Sequence, residues 1–487
     1  MEQIRSTPPR SAEKVPLCVD LDGTLIRVDL LWESLIALLR KRPASILQLP
    51  GWLLRGKAFF KSRIAAEVDL DCSVLPYREA VLEYIRAARN QGRTIVLVTA
   101  ANERLAREVA DHLKLFDEVI ASDAAHNLSG DKKRDVLIER FGEHGYDYAG
   151  DAAADLPVFR AAREAIFVGS KAGVLRQARS AGNVGLVLED APASPKEYLK
   201  LMRVHQWSKN LLIFLPLLAS HKVGNPDYFP QAILAFFLFG LVASSIYILN
   251  DLFDLTSDRH HAEKRFRPLA DGRVTIPSAL LISAALLTIG AGVAALTLPL
   301  KFLEWLGVYV LMTTAYTLGL KRRIIVDVIV LAGLYCVRLL AGGAATDIAL
   351  SHWLLAFSMF MFISLAFVKR YTEAAAVSPD DADFIRGRGY RRSDADIIRV
   401  IGPCSGLMSV LIIALYINSP DTTRLYHDPK YLWLLCPVVT YWVTRIWFLA
   451  HRNELHHDPL VFALRDWRSY TLALACLIIL AMATILQ

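Results

Sequence analysis

The sequence predicts a chain of two unlike parts. An α/β domain built on a parallel sheet with a helical insert comes first, and an all-α polytopic membrane domain of about nine transmembrane helices follows. Three observations predict this. Up to about residue 200, short apolar runs alternate with abundant charge; from about residue 207, long apolar stretches dominate; and the basic residues of that second part concentrate in every other loop. At 487 residues the chain exceeds one ordinary domain, and its 54% hydrophobic content averages over the two parts.

The first part opens with Pro16–Leu25, a buried strand (Leu17, Cys18, Val19) that ends in a carboxylate-rich turn. Residues 30–90 carry helical apolar spacing, in LLWESLIALLRK and again in REAVLEYIRAARNQG. Thr94–Val98, Glu118–Ala121 and Asp147–Ala149 read as further strands, each followed by a helical pattern. Strands alternating with helices call for a parallel sheet covered on both faces. The expected boundaries are a soluble domain over 1–190 with an insert at about 26–90, a proline-marked linker at 191–200, and a membrane domain over 201–487.

Nine spans are expected, at roughly 208–222, 229–249, 277–297, 303–320, 325–343, 352–368, 401–418, 431–450 and 468–486. With the N-terminal part in the cytosol, the loops at 250–276, 369–399 and 451–467 face the cytosol. They hold Arg259, Lys264, Arg265, Arg267, Lys369, Arg370, Arg386, Arg391 and Arg392, whereas the opposite loops hold few cations, as the positive-inside rule requires. Those loops also account for the net charge of +7 without a nucleic-acid partner. The first 15 residues are polar and lack an apolar core, so no secretory signal is expected. Six scattered cysteines without metal-type spacing read as reduced thiols.

The first strand ends in Asp20-Leu21-Asp22-Gly23-Thr24. Two carboxylates at i and i+2 can serve one site, one attacking phosphorus and the other protonating the leaving oxygen. In order after them come Thr99 at a strand end, Lys133 (or Lys132) in SGDKKRDVL, and Asp151 and Asp155, four apart and suited to Mg²⁺. This ordered set resembles the haloacid dehalogenase superfamily of phosphohydrolases, which implies a Rossmann-like fold. It further implies Asp20 as nucleophile and metal ligand, Asp22 as general acid/base, Thr99 and Lys133 as phosphate binders, and Asp151 and Asp155 as the remaining Mg²⁺ ligands. The insert then stands where that family carries its substrate-selecting cap. Its stretch LPGWLLRGKAFFK either rests on the membrane surface or forms a core helix of the cap.

The loop after the second span reads Asn250-Asp251, then Asp254, Asp258, His261, Lys264-Arg265 and Arg267-Pro268. Continued as a helix, it would place Asp251, Asp254 and Asp258 on one face, where Mg²⁺ bridging to a diphosphate relieves their repulsion. Arg267 and Lys264 can then hold phosphate oxygens. His261 either contacts a phosphate or caps the loop. A second group holds Tyr316, Lys321, Asp327 and Arg338; ionisable residues in spans are costly, so Asp327 and Arg338 are site candidates, or else a buried structural ion pair. The run from Gly387 to Arg392, which includes Tyr390, either closes over a headgroup or is simply a basic loop. The pattern resembles the UbiA superfamily of intramembrane prenyltransferases, with Asp327 standing where many members carry a fuller second aspartate cluster.

Arg203 through Asn210, which includes Lys209, the loop pattern DxxDxxxDxxHxxKRxRP, and Lys369-Arg370 together look like decaprenyl-phosphate phosphoribosyltransferases. That resemblance implies a polyprenyl phosphate attacking 5-phosphoribosyl 1-diphosphate, with Asp251 and Asp254 central and Asn250, Lys209, Lys264, Arg267, Arg338, Lys369 and Arg370 on the substrates. The fused phosphohydrolase then removes the 5-phosphate, giving a polyprenyl-phosphoryl ribose for cell-envelope glycans at the cytoplasmic membrane. The other reading is an ordinary prenyl transfer to an aromatic acceptor, with the phosphohydrolase in a separate or regulatory role.

Overall fold

Apolar alternation shapes the sheet. Leu17 and Val19 of β1 (Leu17–Val19) and Ile95 and Leu97 of β2 (Ile95–Asn102) face one core, while Cys18, Val96 and Val98 face a second. Strands buried on both sides need helices on both sides. A computed structural model of the chain describes residues 15–180, 183–190, 193–222, 225–376, 385, 388–455, 459–463 and 465–485. In it β3 (Glu118–Ser122), β4 (Asp147–Gly150), β5 (Glu164–Val168) and β6 (Val184–Leu188) complete a six-stranded parallel sheet of order β3-β2-β1-β4-β5-β6. Val19 is level with Leu97 on one side and Ala149 on the other, so the residues that follow β1, β2 and β4 gather at one carboxyl edge.

The insert between β1 and β2 holds helices Leu30–Lys41, Leu49–Leu54, Lys57–Glu67 and Glu79–Asn90. Asp29 caps the first of them, accepting from the backbone N–H of Leu31 at 2.8 Å. Leu38, Ile64 and Val68 form a small core that receives Trp52 and Phe60, whereas Leu54 is 89% exposed, so LPGWLLRGKAFFK is divided between core and surface. The expected linker is partly helical. Pro195–Leu201 forms a helix whose Glu197 accepts from the Ser194 N–H at 2.9 Å. The polar stretch before residue 15, and Arg386 and Gly387, lie outside the described residues.

Seven described helices are long and apolar enough to cross a membrane: Tyr228–Phe253, Ile276–Thr297, Val326–Ala345, His352–Ala375, Arg392–Ile417, Pro429–His451 and Trp467–Ile485. Two of the nine expected spans differ. Residues 208–222 form a tight 3₁₀ stretch, Val204–Phe214, and a short helix, Leu215–Ala219, with Pro216 at its start. Leu300–Leu318 is a full helix, but Lys301, Glu304 and three threonines dilute its apolar content.

The chain divides into two compact units. One is Met1–Met202 with Ile248–Ile282; the other is Arg203–Tyr247 with Ser283–Gln487. The aspartate-bearing loop therefore belongs to the unit that contains the sheet. In the second unit, a Cβ at Gly402 would lie 2.0 Å from the Trp447 ring. That contact is pinned by Trp447 Nε1 donating to Ser364 Oγ at 3.0 Å and Ser364 Oγ donating to the Gly402 carbonyl at 2.7 Å. Small residues permit this approach of helices where lipid supplies no hydrophobic drive.

Candidate functional site

Asp20 follows β1 directly, and its N–H donates to the Ala149 carbonyl at 2.9 Å. Lys133, from helix Asp131–Phe141, places Nζ 2.9 Å from Asp20 Oδ1, 3.3 Å from Asp155 Oδ1 and 2.9 Å from the Tyr148 hydroxyl. Lys133 is buried and Lys132 exposed, so it is Lys133 that enters the site. Asp151 pairs with Lys171 at 2.6 Å and accepts from Thr24 Oγ1 at 3.4 Å. Carboxylate oxygens of Asp20, Asp151 and Asp155 all lie within 4.8 Å of one another, and all three residues are buried.

Three buried carboxylates face two ammonium groups, an acidic excess that a divalent cation fits. Burial pushes the Asp20 carboxyl up to about 7 although Lys133 pulls it down, and burial likewise raises Asp151. Burial works against the Lys133 ammonium, yet Asp20 and Asp155 outweigh it and bind its proton more tightly. Asp22 sits well above the usual carboxylate range, through burial first and then the nearby Asp29 charge; its Oδ1 accepts from the Leu30 N–H at 2.8 Å. Thr99 is buried, and its hydroxyl oxygen accepts from the Ala101 N–H at 3.0 Å. Tyr148, Lys171 and Lys61 are additions the sequence reading missed. Lys61 reaches in from the insert to the Ala100 carbonyl at 2.7 Å and Asn127 at 3.0 Å. A cavity of about 720 Å³ adjoins this centre, lined by Asp22, Arg78, Asp151 and Lys171 and closed on one side by Asp271 and Ile276 of the aspartate loop.

In that loop the helical spacing holds only in part. Helix Tyr228–Phe253 ends beyond Asp251, the chain breaks step at Asp254, and a second helix, Leu255–His260, carries Asp258. Asp251 and Asp258 are buried and share Arg267, whose Nη1 lies 3.0 Å from Asp251 Oδ1 and 2.5 Å from Asp258 Oδ2. Arg267 thus bridges carboxylates, although the sequence reading gave it to phosphate. Burial raises the Asp258 carboxyl. Lys264 adds a second positive charge that acts on Asp258. His261 is exposed and its Nδ1 accepts from the Glu263 N–H at 3.2 Å, which is loop capping. Lys264 is exposed, and Asn250 and Asp254 are half-buried.

In the second unit Asp327 and Arg338 do not pair, contrary to one sequence expectation. Asp327 is wholly buried, lies 2.7 Å from Arg370 Nε and accepts from the Tyr390 hydroxyl at 2.7 Å. Its charge is thereby matched by an arginine, a different environment from the metal-ligand role read from the sequence. Tyr390 is correspondingly buried instead of lying over a headgroup. Arg370 also pairs with Glu373 and reaches the Tyr316 hydroxyl at 3.3 Å, which Arg388 approaches at 2.6 Å. Arg338, 3% exposed, donates through Nε to Asn210 Oδ1 at 3.1 Å and lies 4.9 Å from the Tyr309 ring centroid. Lys209 Nζ is 5.9 Å from the Tyr335 ring centroid, and Lys321 and Lys369 are half-buried.

Residues 211–470, more than half of the chain, match the UbiA prenyltransferase family. The chain belongs to that family. Its N-terminal domain matches the haloacid dehalogenase-like hydrolases over residues 17–160, so this UbiA protein is a multi-pass membrane enzyme with a hydrolase domain fused in front. The y4nM protein of Sinorhizobium fredii is 40% identical over 94% of this chain and 89% of its own length. Nodulation protein NoeC of Azorhizobium caulinodans is 33% identical over 59% of this chain and 92% of its own. Decaprenyl-phosphate phosphoribosyltransferase of Mycolicibacterium smegmatis is 37% identical over 36% of this chain and 56% of its own.

Within the hydrolase domain Gly23 has φ +76°, and a Cβ there would lie 2.6 Å from Asp151 Oδ1. Gly23→Ala is therefore expected to displace Asp151 and cut the hydrolase domain's activity by about a hundredfold, the scale of a 1 Å misplacement. Steady-state assays across divalent-cation concentrations check this.

Proposed function

We propose that this enzyme transfers 5-phosphoribose from 5-phosphoribosyl 1-diphosphate to a polyprenyl phosphate and then removes the 5-phosphate. The product is a polyprenyl-phosphoryl ribose for cell-envelope glycan synthesis. The relationship to decaprenyl-phosphate phosphoribosyltransferases supports the first step. The observation that supports the pairing of the two steps is one wall of the hydrolase cavity. One wall of the pocket beside Asp22 and Asp151 is Asp271–Pro277, where the apolar helix Ile276–Thr297 begins. A phosphomonoester borne on a lipid would meet that pocket at the edge of a membrane span.

In the transfer step a phosphate oxygen of the lipid attacks the anomeric carbon, and diphosphate leaves with its bonding pair. Asp251, Asp254 and Asp258 would hold one Mg²⁺, and Asp20, Asp151 and Asp155 another. Bound there, the ions neutralise phosphoryl and diphosphate charge. In the hydrolytic step an Asp20 oxygen attacks phosphorus, the P–O ester bond breaks, and Asp22 gives its proton to the departing sugar oxygen. Water then cleaves the aspartyl-phosphate, with Asp22 taking a proton back. Burial, which raises the Asp22 carboxyl well above the usual carboxylate range, favours its protonated form and suits it to the acid role. Lys133 steadies the phosphoryl oxygens beside Asp20. The basic loops orient the hydrolase domain and both sites toward the cytoplasm across the inner membrane.

Purified full-length protein, Mg²⁺, polyprenyl phosphate and 5-phosphoribosyl 1-diphosphate test the reading, with lipids followed by mass spectrometry. A ribosylated lipid without a 5-phosphate is expected. Folded protein that yields no ribosylated lipid, but prenylates 4-hydroxybenzoate from a polyprenyl diphosphate, would replace this reading with aromatic prenyl transfer.

A further inference from the structure

The aspartate loop is held by the hydrolase insert. Helix Leu255–His260 has six residues, too few to be stable by itself, so tertiary anchors fix its position. Arg259 is the chief anchor. Its Nη2 and Nη1 lie 2.6 and 3.1 Å from the two carboxylate oxygens of Glu33, and its Nε donates to the Ala270 carbonyl at 2.9 Å. Both side chains of the pair are only 6% exposed. A planar fork matched to a carboxylate fixes direction as well as distance. His260 adds a surface contact to Asp71 at 3.0 Å, and Arg27 a further one to Asp271 at 3.2 Å. Glu33 stands in the first turn of Leu30–Lys41, the helix whose leading N–H binds Asp22. On the loop side, Arg259 directly follows Asp258, which shares Arg267 with Asp251.

We infer that Glu33 is a positioning residue for the transferase carboxylates, acting through Arg259 to set where Asp258 and Asp251 stand. The hydrolase fold is thereby part of the transferase's support, independent of its own chemistry. This rests on the reading of Asp251, Asp254 and Asp258 as the diphosphate-binding group. Glu33 touches no reacting atom; its loss leaves a buried guanidinium with only a carbonyl partner, and the short helix shifts to rehydrate it.

The test uses full-length Glu33→Gln, Glu33→Asp and the double variant Glu33→Gln/Arg259→Gln. Transfer kinetics, hydrolysis of p-nitrophenyl phosphate, and hydrogen exchange of the 255–260 amides are compared. Glu33→Gln is expected to lower transfer kcat/KM about 10- to 100-fold, as loss of supporting contacts does elsewhere, mostly through the KM of the diphosphate donor. Exchange should quicken over 255–260 but not in β1 or β4, and p-nitrophenyl phosphate turnover should stay within about twofold. Glu33→Asp should recover part of the loss, and the double variant should be no worse than the single one. Unchanged donor KM and exchange in Glu33→Gln would overturn the inference, as would parallel loss of both activities with faster exchange throughout the sheet. Asp251→Asn separates the two levels: if it left transfer intact, the diphosphate-binding reading itself would fall, whatever Glu33→Gln did.

Discussion

Asp20→Asn is expected to stop the enzyme half-way, so that lipid carrying 5-phosphoribose accumulates and the dephosphorylated lipid disappears. The amide keeps the shape of the carboxylate and an acceptor for Lys133, which lies 2.9 Å from Asp20 Oδ1, but it cannot attack phosphorus. Hydrolysis should fall by at least about 10⁴-fold, on the scale of nucleophile removal in covalent catalysis. Transfer should continue, because Asp20 is not in the aspartate loop. Mass spectrometry of the lipids separates this from general inactivation, in which neither product forms. The same variant carries a stability signature. Asp20 is raised by burial from its ordinary 3.8 to about 7, so the wild-type fold loses stability as pH rises across that interval. Asparagine does not titrate. In cation-free protein the melting temperature of Asp20→Asn, measured against wild type, should therefore shift upward from pH 5 to pH 8.

Arg370→Met is expected to destabilise the membrane unit by about 3–5 kcal/mol, the cost of stranding a buried partner charge. Arg370 is wholly buried, 2.7 Å from Asp327 Oδ2 and paired also with Glu373, so its loss leaves Asp327 without a matching cation. Adding Asp327→Asn should recover much of that stability, since removing both charges avoids the stranded one. Thermal unfolding in detergent, read by size-exclusion, follows the recovery. Transfer activity in the double variant then assigns the pair: activity that returns with folding marks a structural ion pair, whereas a folded but inactive protein marks a substrate role for Arg370.

What the sequence disclosed and what it withheld divides along chain distance. Asp20, Asp22 and Gly23 stand within four residues, and Thr99, Lys133, Asp151 and Asp155 follow in order along the chain, so the grouping of Asp20, Lys133, Asp151 and Asp155 could be read directly. Lys61 could not, because a basic residue in a helical insert carries no signal of where the insert folds back. β5 and β6 were missed: each has only five residues, and Gly185 interrupts β6. Helical spacing predicted one face for three aspartates, but one helix ends at Phe253 and the next begins at Leu255, so Asp254 falls between them. The Glu33–Arg259 pair joins residues 226 apart, and Asp327 chose Arg370 over Arg338. Charge in a span announces that a partner exists without naming it.

The wall that Asp271–Pro277 lends to the hydrolase cavity has an evolutionary corollary. A gene split at the junction after residue 190 would yield a phosphatase missing part of its own vestibule and a transferase deprived of the brace on its acidic loop. Relatives that lack the hydrolase domain are expected to differ from this chain between residues 255 and 277, where its wall and its brace are made.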